Sequence, residues 1–160
     1  PLATELYVIG CEYVPVGLGL AFELREGYDL DATTAAVRNA VRRMLWPLSP
    51  GGPFEDASGW PRSRPVRERE LEVAVARVPG VDEVIGVNLF SREADGSWSL
   101  VPLGRDGSAQ ISMQEWQLPE LLRLSVRVDE PPASSISGTD APQDADGVRE
   151  VAIPVVPEVC

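Results

Sequence analysis

The chain has 160 residues, 25 acidic against 14 basic, for a formal charge of −11, and every basic residue is Arg. The length fits one ordinary domain of about 100 to 150 residues plus a tail. The charge argues against a nucleic-acid backbone as the main partner, because binding phosphate needs a basic face. With no His, and Cys11 and Cys160 as the only cysteines, the usual four-ligand zinc site cannot be built, and neither metal nor cofactor is expected.

No apolar run approaches the roughly 20 residues that cross a bilayer, so a soluble chain without a membrane span is expected. Pro1 follows no initiator Met and no charged-then-apolar leader, which reads as a piece of a longer chain or a trimmed product. Cys11 stands just before the strongest strand pattern, and a buried, inert thiol is the reading there. A disulfide with Cys160 stays open beside it.

In chain order, Glu5 to Ile9 is a short apolar stretch that reads as a lead-in strand or extended link. From Glu12 to Leu24 the period is two. Val14, Val16, Leu18, Leu20, Phe22 and Leu24 alternate with Pro15, Gly17, Gly19, Ala21 and Glu23, as in a strand with one face on a core. Gly17 and Gly19 share the other face. The favoured reading is a curved sheet edge, and the other is a close approach of something to the backbone.

After a turn at Gly27 the period becomes 3.6, with Val37, Ala40, Val41, Met44 and Leu45 on one helical face. Asp31 or Thr33 is expected to cap this helix and Pro47 to end it. Pro47 to Pro65 is a long loop rich in Pro and Gly, and its Phe54 and Trp60 argue that it packs. A second helix is expected over Arg67 to Val78, with Leu71, Ala74, Val75 and Val78 inward and an outer face of alternating Arg and Glu held by local ion pairs. Pro79-Gly80 ends it.

Strands follow over Val81 to Phe90, Trp98 to Leu103, Gln110 to Met113 and Arg123 to Val128, with Asp95-Gly96 and Asp106-Gly107 as turns. Beyond Asp129 the chain is acidic and rich in Pro, Ser and Ala, a composition that buries too little to fold alone. Val151, Ile153, Val155 and Val156 near the end form an apolar stretch able to add a strand to another sheet edge.

Without His there is no ordinary catalytic triad or imidazole base, and no serine sits in a Gly-x-Ser-x-Gly elbow. A carboxylate pair could still run hydrolysis, but a non-enzymatic scaffold is the expectation. The expected fold is α+β, two helices packed on one face of a mainly antiparallel sheet, over residues 1–129. Residues 130–160 are expected to form an extended arm.

The succession Tyr13-Val14-Pro15-Val16, Gly27-Tyr28-Asp29, Leu45-Trp46-Pro47-Leu48, Gly51-Gly52-Pro53, Gly59-Trp60-Pro61 and Val78-Pro79-Gly80-Val81-Asp82 resembles the C-terminal region of baseplate J-like assembly proteins. The resemblance covers about Leu6 to Val128. It departs at Arg62-Ser63-Arg64, where family members often carry Phe-Gly-Arg, and at Cys11, where Pro is common.

The resemblance implies a baseplate wedge subunit of a contractile-tailed phage or injection particle. Such a subunit pairs with another wedge chain, repeats around a six-fold axis, surrounds the spike and hub, and joins them to the sheath. It is assembled in the cytoplasm and carried in the particle. Phe54, Trp60 and Trp46 are candidate interface anchors, with Val151, Ile153 and Val155 of the arm. The rival of another class is a stand-alone ligand- or carbohydrate-binding module using Trp98 and Trp116.

Overall fold

The computed structural model describes residues 10–137. The elements in order are β1 (Glu12–Leu24), α1 (Leu30–Leu45), β2 (Val66–Arg67), α2 (Glu68–Ala76), β3 (Val81–Arg92), β4 (Trp98–Leu100), β5 (Gln110–Ile111) and β6 (Gln117–Val128). The fold is α+β. The expected strands at Glu5–Ile9 and over Val151–Val156 lie outside the described residues.

β1 is the middle of a four-stranded sheet in the order β4-β3-β1-β6. It runs antiparallel to β3, with Leu18 opposite Leu89 and Leu20 opposite Val87, and parallel to β6, with Leu18 opposite Leu124. This corrects the sheet-edge reading of β1. Gly17, Gly19 and Ala21 resemble a solvent face in their alternation, but they are small rather than polar, and a small surface admits another layer of chain.

That layer is the start of the C-terminal segment. Ala133 and Ile136 are buried against the sheet, and Asn88 Nδ2 donates to the Ala133 carbonyl at 2.9 Å. A Cβ on Gly19 would lie 2.9 Å from Ala133 O, and one on Gly17 would lie 2.4 Å from Ile136 Cδ1. Phe90, whose side chain flanks Gly17, is buried on this same face. Residues 131–137 thus form a strap across the sheet.

The other face carries both helices. Val16, Leu18, Leu20 and Phe22 of β1 join Val37, Val41 and Leu45 of α1, and Leu71 and Val75 of α2, in one core. α2 lies against β3 and α1 against β6 and α2. The N-cap of α1 is Asp29, whose Oδ1 accepts from Ala32 N–H at 2.7 Å. Asp31 instead stands in the first turn, where a carboxylate suits the helix dipole, and Thr33 is buried.

β6 begins six residues before the expected Arg123 and contains Pro119, opposite Val14. Pro is tolerated because β6 is an outer strand, with one side of its ladder unpaired. β2 and β5 form a separate two-stranded ribbon, Val66 opposite Ile111. Cys11 is exposed rather than buried, because it precedes β1 at the rim of the sheet.

Candidate functional site

The loop between α1 and β2 is built by its glycines and its backbone. Gly52 N–H donates to the Arg43 carbonyl at 3.0 Å, so the loop turns back onto the last turn of α1. Gly59 N–H donates to Gly51 O at 2.8 Å and Trp60 N–H to Pro47 O at 3.0 Å, which close the loop on itself. Gly52 and Gly59 have φ of 94° and 96°, the left-handed region in which a Cβ is costly.

The three aromatic candidates separate here. Trp60 is buried in the core cluster, and its Nε1 donates to Arg64 O at 3.0 Å, so its own domain occupies it. Phe54 and Trp46 are 48% and 53% exposed, and Leu48 on the same loop is 56% exposed. The Arg64 guanidinium lies 4.9 Å from the Phe54 ring centroid and also pairs with Glu70 at 3.0 Å. These contacts hold the ring in place while leaving half of it bare. Val151, Ile153 and Val155 lie outside the described residues.

The other two tryptophans serve different ends of the sheet. Trp98 is half-buried, and a Cβ on Gly17 would lie 3.0 Å from its ring, beside the strap. Trp116 is exposed, and its Nε1 donates to Glu12 Oε2 at 3.3 Å.

The Arg and Glu residues of α2 behave as a solvated face with local pairs, Glu70 joining Arg67 at 3.4 Å as well as Arg64. Glu72 is the exception. Partial burial, and secondarily the nearby Glu68, push its pKa above the ordinary glutamate value, while Arg69 opposes them. A carboxyl whose folded pKa is raised holds its proton more tightly when folded, so its ionised form costs stability above that pKa. Glu72→Gln is therefore expected to raise the melting temperature at pH 7. The gap should close as pH falls below 4.5, and thermal melts at pH 7 and pH 3.5 check it.

Asp95 and Asp106 shift the other way. Each accepts hydrogen bonds from the side chain and backbone of the serine two residues on, which holds its pKa below the usual carboxylate range. The stability they lend their turns is present at neutral pH and lost in acid.

Among the described residues, no group of three His, Cys, Asp or Glu side chains is placed to hold a metal. Nor is any helix among them long and apolar enough to cross a membrane. In comparison with known proteins, no family model and no curated protein matches the chain.

Proposed function

We propose that this chain is a structural component of a baseplate wedge, in a contractile-tailed phage or a related injection particle. In this reading it performs no catalysis. It pairs with a neighbouring wedge chain, takes its place in a six-fold ring around the spike and hub, and links them to the sheath. The observation that carries the reading is the loop after α1. Its backbone is closed by its own hydrogen bonds, yet it presents Trp46, Leu48 and Phe54 to solvent.

Large apolar side chains held on a fixed frame suit contacts with other chains, because little conformational freedom remains to be lost on binding. The motifs that carry the resemblance, Gly51-Gly52-Pro53 and Gly59-Trp60-Pro61, are also the residues that build this frame. A glycan platform would need Trp98 and Trp116 presented together. Trp98 packs instead beside the strap, so that reading has less support.

The test is incorporation. The particle is assembled with the wild-type chain and with the double variant Trp46→Ala/Phe54→Ala, then imaged by electron microscopy. Both residues are about half exposed, so the variant should fold with little change in melting temperature. The wild-type chain should appear in a six-fold collar and the variant should be missing from it. Normal incorporation of the variant, or a wild-type chain found outside any such collar, would refute the proposal.

A further inference from the structure

A second surface lies between α1 and α2. It is an open groove of about 890 Å³ bounded on one side by the loop residues Gly52 and Pro53. Its floor is apolar, made by Ala36, Ala40 and Met44 of α1 and Val73 and Ala74 of α2. Val73 is half exposed.

Four arginines line this groove: Arg43 from the end of α1, Arg64 from the loop, Arg69 from the start of α2 and Arg77 from its C-cap. Glu70 is the one acidic residue in the lining, and Arg64 and Arg67 already engage it. The groove therefore has a local excess of three positive charges in a chain whose overall charge is −11. Arg69, Val73 and Arg77 are spaced four residues apart, so they form one stripe along α2 with the apolar residue between two cations.

From Ala36 to Met44 the α1 wall spans roughly 12 Å at 1.5 Å per residue. That accommodates about four residues of extended chain. A small polar anion would use the arginines and waste the apolar floor. A wholly apolar segment would not use the exposed Arg43 and Arg77, whereas Arg64 is paired with Glu70 at 3.0 Å and Arg69 donates to the Asp106 carbonyl at 3.2 Å.

We infer that the groove receives an acidic, aliphatic-bearing extended segment of a protein chain. Its carboxylates meet Arg43 and Arg77, and its valine- or isoleucine-type side chains rest on Met44 and Val73. This inference does not depend on the wedge reading, since it rests on the helices and not on the exposed aromatic residues.

The probe is a labelled peptide with the sequence of residues 140–156, which carries four side-chain carboxylates, one arginine, four valines and an isoleucine. It is titrated into the full chain, and into a full chain carrying D140N, D144N, D146N and E150Q, which removes competition from its own identical segment. Saturable binding is expected, weakened about tenfold or more by Arg43→Ser/Arg77→Ser and by raising salt to about 0.5 M. A peptide with Asn and Gln in place of its carboxylates should not bind.

Both arginines are exposed, so unchanged melting temperature confirms that the variant is folded. Four outcomes would overturn the inference. They are absence of saturable binding to either chain, binding indifferent to the arginine changes, equal binding of the neutral peptide, and displacement by citrate at the peptide's own concentration. The last would mark a small-anion site.

Discussion

Gly52→Ala is expected to lower the melting temperature by roughly 10 °C, equivalent to about 3 kcal/mol in a domain of this size. Two costs combine. Gly52 has φ of 94°, where an L side chain costs about 1–2 kcal/mol. Its new Cβ would also stand 2.1 Å from Gly59 O and 2.4 Å from Gly59 C. These are backbone atoms fixed by the Gly59–Gly51 hydrogen bond at 2.8 Å, so no rotamer relieves the overlap. Overpacking of that kind costs about 1–3 kcal/mol.

Gly27→Ala is the internal control. Its φ is 85°, but nothing lies within 4 Å of the added Cβ, so only the conformational cost applies. Thermal unfolding of the two variants separates the terms, and tryptophan fluorescence reports whether Trp60 leaves the core when the loop opens. Equal loss in both variants would mean that the Gly52–Gly59 contact does not hold the loop.

Gly19→Val is expected to lift the strap, at a cost of about 2–3 kcal/mol. The nearest atoms to a Cβ there are Ala133 O at 2.9 Å and Ala133 Cβ at 3.3 Å, and the branched side chain would press further into the same backbone. Displacing Ala133 also takes the carbonyl away from Asn88 Nδ2. Gly17→Ala is the milder change, because its closest contact is the terminal Cδ1 of Ile136, which can swing aside. Hydrogen exchange over residues 131–137 should quicken strongly in Gly19→Val and slightly in Gly17→Ala. Unchanged protection in both would show that the strap does not rest on the glycine track.

The periodic parts of this fold were readable from the residues. The alternation from Val14 to Leu24 located β1 within its true bounds, and the 3.6 spacing from Val37 to Leu45 located α1. What failed were choices among locally equivalent candidates. The cap was expected at Asp31 or Thr33, yet Asp29 has the same capping chemistry, and only the placement of the first turn selects it. Pro119 masked the early half of β6, since a proline counts against a strand until its place on an outer edge is known.

Trp60 and Phe54 look alike as loop aromatics. Trp60 is drawn inward because its indole N–H finds the Arg64 carbonyl and its ring finds the core. The arginine-lined groove was the least legible, because Arg43, Arg64 and Arg69 come from three separate stretches that only the packing of α1 on α2 brings together.

The central position of β1 has a consequence for synthesis. Of the four strands of the sheet β1 is made first, and its ladder partners come late. Leu24 waits for Val81, and Glu12 waits for Gln117, 105 residues further on. A nascent chain therefore carries its most apolar ribbon without its β6 partner until about a hundred further residues have been made, and such long-range pairing is slow to form. A product released before Gln117 would leave one flank of that ribbon open, the kind of template on which other chains aggregate.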